Sequence, residues 1–156
     1  MPTIDVGAPA RDIALLDHDR HVVRLSEEWQ KGPVVLAFFP AAFSRVCTTE
    51  MCRFRDQMAD LRQLSATVLG VSVDTFFSLK AWRDALQLNF PLLSDFNKEA
   101  THLYDVYSAD LYGMRGTAKR ALFVIDRSGV IRYREVLDNP ANEPDYQAVR
   151  NVLSGL

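Results

Sequence analysis

Three predominantly apolar runs constrain this chain more than anything else in it: the all-apolar "VVLAFF" at 34–39, and "TVLGVSV" at 67–73 and "ALFVID" at 121–126 of the same character. A strand with one face in water alternates apolar and polar side chains, whereas a strand covered on both faces has no reason to. The runs therefore predict strands of a sheet held between two layers.

The covering layers can be read between the runs. From Cys47, apolar side chains recur at Met51, Phe54, Met58 and Leu61, in steps of four and three that line one face of a helix. Glu50, Arg53, Gln57 and Asp60 fall on another face. Leu79, Trp82 and Leu86 make a second short stripe, residues 145–153 predict a terminal helix, and residues 98–104 a weaker one. Near the start, residues 13–16 and 22–25 flank "DHDRH" as a hairpin, and "DRSG" turns the third run back into "VIRYREVL". That order implies a mixed α/β sheet with helices on both faces. It is the order of a thioredoxin-like fold with an N-terminal β-hairpin extension. With 156 residues and no repeat, low-complexity tract or linker, a single domain over 1–156 is expected.

Charge and hydropathy remove several function classes. The formal net charge is −2 with both signs mixed along the chain, so no nucleic-acid or membrane surface is expected. The longest apolar stretch, from Val34 to Phe43, is far short of the ~20 residues of a membrane span. "MPTIDVGAPARD" has neither a basic nor an apolar leader region, which points to a cytoplasmic, reducing location. There, cysteines are catalytic or inert more often than structural disulfides.

The chain's two cysteines, Cys47 and Cys52, lie together in "FFPAAFSRVCTTEMCRFRD". Ser44 stands where a helix N-cap is wanted, and Cys47 follows in the first turn. Unpaired backbone N–H groups and the positive end of the helix dipole meet there. Both favour a thiolate, the nucleophilic form of cysteine. Helix geometry sets the Cα atoms of Cys47 and Cys52 roughly 8.7 Å apart, beyond the ~7 Å reach of a disulfide without backbone movement. A bond between them needs the first turns to unwind. On the residues alone, a reactive thiol and an inert buried cysteine both stay open. A zinc site has less support, since C-x4-C lacks a second pair and His18, His21 and His102 show no ligand spacing. The C-x-x-C of a dithiol carrier is absent. No cofactor or metal is expected.

Pro40-Ala-Ala-Phe-Ser44-Arg-Val-Cys47 fits P-x-x-x-[TS]-x-x-C, and in this the chain resembles the peroxiredoxins, thiol peroxidases on a thioredoxin-like fold. The likeness continues through "VGAPARDIALLD", "GVSVD" (70–74), Trp82, "FPLLSD" (90–95) and "KRALFVIDRSGVIRY" (119–133), although Arg11 stands where a second proline is frequent. It implies that Cys47 is the peroxidatic cysteine, attacking a peroxide's terminal oxygen to become a sulfenic acid. Ser44 would hold a hydroxyl bonded to the thiolate and the peroxide, and Pro40 would keep bulk water away. Arg120 would stabilise the thiolate and the charge growing on the leaving oxygen. Glu50 and Trp82 resemble positions that support the pocket. Plainer roles stand beside these: Pro40 ending a strand, Ser44 capping a helix, Arg120 pairing with Glu50 or Asp126.

A second cysteine five after the first resembles the PrxQ, or bacterioferritin-comigratory, type, while "PAAFSRVCTTE" resembles the alkyl hydroperoxide reductase E (AhpE-like) branch. The resemblance implies that Cys52 resolves Cys47 as an intramolecular disulfide after local unfolding, recycled by thioredoxin or a similar dithiol. The alternative is a one-cysteine enzyme recycled by a small thiol. Hydrogen peroxide and organic hydroperoxides are the expected substrates. No cysteine follows Cys52, against the type in which a partner subunit supplies the resolving thiol. A monomer or homodimer is expected, with Phe43, Phe76 and Phe77 as dimer contacts or as core. The competing functions are a thiol-disulfide carrier and an inactive binding module on the same fold.

Overall fold

The computed structural model describes residues 3–156. The N-terminal hairpin forms: β1 (Ala14–Asp17) pairs antiparallel with β2 (Val22–Arg24), Leu15 opposite Val23. The chain continues through α1 (Leu25–Lys31), β3 (Val34–Phe38), the long α2 (Arg45–Gln63) and β4 (Thr67–Ser72). After α3 (Phe76–Leu86) come β5 (Leu92–Ser94) and the short α4 (Glu99–Leu103). A small ribbon of β6 (Tyr107–Ser108) and β7 (Thr117–Ala118) leads to β8 (Arg120–Ile125), β9 (Ile131–Leu137) and α5 (Tyr146–Ser154).

Seven strands make one mixed sheet in the order β2-β1-β5-β4-β3-β8-β9. β3 runs parallel to β4 and antiparallel to β8. Every residue of β3 and β8 is buried, as their apolar runs from Val34 and from Ala121 require, and the charged Arg120 is buried with them. Alternate side chains leave opposite faces of the sheet. Val35, Ala37, Leu122 and Val124 pack under α2, α3 and α5, against Met51, Phe54, Leu79 and Val149. Val34, Leu36, Phe38, Phe123 and Ile125 pack on the other side with Leu25 and Trp29 of α1 and Tyr104 beyond α4. Each such side chain contributes about 1.5–3 kcal/mol by leaving water. The expected mixed sheet with two covering layers is the observed one.

Some elements differ from the sequence expectation. Leu25, assigned above to the hairpin strand, opens α1 instead, because Leu25 and Trp29 lie four residues apart and both turn inward. β5 stands in "FPLLSD" and joins the hairpin to the centre of the sheet through the Leu16–Ser94 pair. The weaker helix is confined to Glu99–Leu103, after Lys98 in the left-handed region.

The topology delivers two chain segments to one rim of the sheet. β3 ends at Phe38, opposite Ala121, where the antiparallel β8 has just begun at Arg120. Arg120 shares the face of Leu122 and Val124, which is the face α2 covers. None of the described helices is long and apolar enough to cross a membrane.

Candidate active site

Beyond β3 the chain crosses this rim in a loop pinned from below. Ala42 donates its N–H to Asp74 Oδ2 at 2.8 Å, and Ser72 Oγ donates to the same oxygen at 2.7 Å. Phe43 takes a left-handed φ of 67°, and Ser44, in extended backbone, occupies the N-cap of α2. Cys47 is therefore the third residue of the helix, where backbone N–H groups have no acceptor within the helix.

The Cys47 side chain is fully buried, and both terminal nitrogens of Arg120 donate to its Sγ, each at 3.3 Å. The same guanidinium donates from Nη1 to Glu50 Oε1 at 2.8 Å and from Nη2 to the Pro140 carbonyl at 3.0 Å. Glu50, expected on the polar face of this helix with Arg53 and Asp60, instead lies on the face of Cys47, three residues before it, and is fully buried with Arg120 as its partner. The Glu50 and Pro140 acceptors thus aim one planar cation at one sulfur. Burial lifts the Glu50 carboxyl from 4.5 to about 7 despite the opposing pull of Arg120, and Glu143 and Glu135 add to the rise. Burial works against the Arg120 cation, but Glu50 and Cys47 outweigh it and hold the guanidinium above its ordinary value.

Pro40, Ser44, Cys47 and Arg120 come together along one pocket of about 300 Å3. Leu111, Tyr112, Met114 and Pro140 line it too, and sequence reasoning missed all four. The one signal for the first three was the glycine in "LYGM", which marks a tight turn. Asp74, also missed, lies in "GVSVD" with nothing local to show that it reaches the 40–44 loop.

One further expectation needs correction. Ser44 occupies the N-cap but makes no side-chain capping bond, and its hydroxyl donates to the Ala41 carbonyl at 2.8 Å rather than to the sulfur. Trp82 lies in the core with its ring 5.1 Å from Phe39 and 6.3 Å from Phe43, so it supports the loop and does not line the pocket. Phe43 and Phe77 are exposed and Phe76 is half-buried, so these three are not core. Of the two plainer partners named for Arg120, Glu50 is the one it takes; Asp126 pairs with Arg132 at 2.6 Å. Cys52 is half-buried on α2, and both cysteines are free. No group of three potential metal ligands occurs among the described residues.

A model of the AhpC/TSA family matches residues 6–134. The chain belongs to that family. This peroxiredoxin is 40% identical over 144 residues to the chloroplastic 2-cysteine peroxiredoxin of Chattonella marina var. antiqua, covering 86% of this chain and 71% of that one. It is 38% identical over 157 residues to peroxiredoxin-2 of Rattus norvegicus, covering 94% and 77%. Among solved structures, peroxidoxin BcpB from Mycobacterium tuberculosis superposes with a TM-score of 0.84 at 28% identity, over 97% of this chain and 95% of that one. A peroxiredoxin-like protein from Aquifex aeolicus gives 0.86 at 25% identity, over 99% and 89%. The chain is thus an enzyme of the thiol peroxidase class, on the thioredoxin-like fold that its element order implied.

Proposed function

We propose that Cys47 is the peroxidatic nucleophile of this peroxiredoxin. The observation that carries the assignment is the pair of guanidinium N–H groups on its sulfur, fixed at 3.3 Å beside a pocket that reaches it. Donors fixed before the reaction stabilise charge without reorganising as it moves. The thiolate attacks the terminal peroxide oxygen and the O–O bond breaks. Its electron pair goes to the leaving oxygen, which takes up a proton and departs as water or alcohol. Cys47 is left as a sulfenic acid, oxidised by two electrons. Arg120 shares its donors between the sulfur and the leaving oxygen. Ser44 Oγ, its proton given to Ala41, accepts from the peroxide O–H. Buried Pro40 keeps water from the sulfur.

In this reading Cys52 is the resolving cysteine. Its thiol condenses with the sulfenic acid, giving a disulfide and water, and thioredoxin or a similar dithiol returns the two electrons. Both cysteines lie within a continuous helix, so the first two turns of α2 must open for the bond to form. The spacing and the likeness to BcpB support a PrxQ-type cycle in AhpE-like surroundings. The unbroken helix also favours a second reading, in which a small thiol resolves Cys47 and Cys52 takes no part. Exposed Phe43 and Phe77 support a homodimer.

Intact mass and free-thiol count after one equivalent of hydrogen peroxide, on wild type and Cys52→Ser, test the assignment. Loss of both thiols in wild type and a sulfenic acid in the variant are expected. A sulfenic acid in wild type with Cys52 still free would select the one-cysteine cycle. If neither thiol reacts, Cys47 is not the nucleophile.

A further inference from the structure

The loop that leads into Cys47 has little to hold it. Residues 40–44 belong to no strand or helix, and Phe43 among them has a left-handed φ of 67°. A bulky aromatic residue in that region is strained, and stays there only when its surroundings fix it. The bond from Ser44 Oγ to the Ala41 carbonyl is internal to the loop. The Thr48 N–H and hydroxyl both donate to the Ser44 carbonyl, which joins the loop to α2 alone. Among the described residues, a single hydrogen bond ties 40–44 to the sheet side of the fold: the Ala42 N–H on Asp74 Oδ2, at 2.8 Å.

Asp74, by contrast, is anchored to β4, β5 and α3 together. Ser72 Oγ, at the end of β4, donates to the same Oδ2 at 2.7 Å and accepts from the Asp74 N–H at 3.2 Å. Ser94 Oγ, on β5, donates to the Asp74 carbonyl at 2.6 Å. The Asp95 N–H donates to the Ser72 carbonyl at 2.7 Å, and the next residue, Thr75, caps α3 by accepting from the Ser78 N–H. The carboxylate is thus part of a rigid platform and reaches across to a loop that is not. The strained path that sets Cys47 under Arg120 hangs on one acceptor atom.

We propose that Asp74 is a positioning residue for Cys47: it latches the 40–44 loop in the closed form that reacts with peroxide, and its release times the opening that lets Cys47 reach Cys52. This rests on Cys47 as the nucleophile and Cys52 as its resolver. In the closed form the sulfur lies under Arg120, and peroxide takes it to the sulfenic acid. In the open form the sulfenic acid condenses with the Cys52 thiol, the S–S bond forming as water leaves. A loop still closed meets a second hydrogen peroxide instead, which oxidises the sulfenic acid to sulfinic acid and itself becomes water. A hydrogen bond to a charged acceptor is a factor of on the order of ten or more in an equilibrium. With the closed form still in the majority, losing that bond leaves peroxide attack nearly unchanged, while the open fraction rises by the whole factor.

The test compares wild type with Asp74→Ala and with Asp74→Asn, whose amide oxygen still accepts from Ala42. Three quantities are read: exchange of the Ala42 amide proton by NMR, the second-order rate constant of thiol oxidation by hydrogen peroxide, and the first-order rate of disulfide formation that follows. In wild type the Ala42 amide should exchange at least about ten-fold more slowly than that of Phe43, which donates to no acceptor among the described residues. In Asp74→Ala that protection should vanish and the disulfide should form about ten-fold faster, while attack by peroxide changes by less than about three-fold. The hydrogen peroxide needed to reach sulfinic acid should rise in proportion, and Asp74→Asn should restore wild-type behaviour. Damage to the fold alone would slow both steps rather than quicken one. The proposal is overturned if the Ala42 amide of wild type exchanges as fast as that of Phe43, an outcome that needs no variant to fold. It is also overturned if the folded alanine variant forms its disulfide no faster than wild type. A wild type that forms a sulfenic acid but no disulfide would remove the role of Cys52 and the timing with it. Protection of Ala42 that is lost in Asp74→Ala would still establish the hold on the loop, even if no thiol reacted and the Cys47 assignment fell.

Discussion

Replacing Arg120 with methionine tests the electrostatic core of the site, because the side chain's volume is roughly kept while its donors go. Two N–H groups leave the Cys47 sulfur, each previously at 3.3 Å. Removing one fixed donor from charge in a transition state costs about 2.7 kcal/mol or more, which is about a hundred-fold in rate. Methionine removes both, so the rate constant for hydrogen peroxide should fall at least about a hundred-fold. Lysine keeps the charge but has a single nitrogen, where the guanidinium used two to reach the sulfur, Glu50 and the Pro140 carbonyl together. Arg120→Lys should lose ten-fold or more, about 1.4 kcal/mol. Stopped-flow loss of free thiol under excess peroxide measures both variants. Because Arg120→Met leaves Glu50 buried without its cation, a stability loss of about 3–5 kcal/mol is expected too. Rates are therefore compared only on protein shown to be folded by circular dichroism. A folded methionine variant reacting within about three-fold of wild type would refute the role given to Arg120.

Two further outcomes follow from packing and charge. Glu50 holds its proton in the folded protein up to about pH 7, while the unfolded chain releases it near 4.5, so this residue makes the fold less stable as pH rises through that window. Glu50→Gln should remove roughly 3 kcal/mol of that pH dependence, read as unfolding free energies in urea near pH 5 and near pH 8, and parallel curves for the two proteins would contradict it. Gly32→Ala puts a Cβ into the Ser65 backbone carbonyl oxygen, which cannot swing aside as a side chain would. A loss of about 1–3 kcal/mol is expected, and an unchanged melting temperature would show that the backbone there yields freely.

What could be read in the sequence was whatever repeats along the chain. β3 and β8 announced themselves because strands buried on both faces carry no polar alternation. The inner face of α2 was visible because Cys47, Met51, Phe54, Met58 and Leu61 keep helical spacing for four turns. The short elements gave no such period. α1 turns only Leu25 and Trp29 inward, and β5 is three residues long. At the site, Pro40, Ser44 and Cys47 are neighbours in the chain and could be found by their motif. Arg120 was found only by likeness, and nothing local distinguishes it from Lys119 beside it, which reaches the exposed Asp138 instead. The Leu111–Met114 turn stayed hidden because its link to Cys47 exists only in the folded molecule. The direction of the Ser44 hydroxyl depends on a carbonyl of a loop with no regular structure, so the motif could not supply it.

Cys47 and Arg120 are separated by 73 residues, and what joins them is the pairing of β3 with β8. Slipping that pairing by one residue would carry the Arg120 side chain through the sheet to the side of α1 and α4. The guanidinium's hold on the sulfur is therefore a property of the closed sheet rather than of the P-x-x-x-[TS]-x-x-C string. A chain still emerging from synthesis, or one unravelled by heat, carries Cys47 without its cation. The same pairing that completes the hydrophobic centre sets the guanidinium on the sulfur, so this contact exists only once the core has closed.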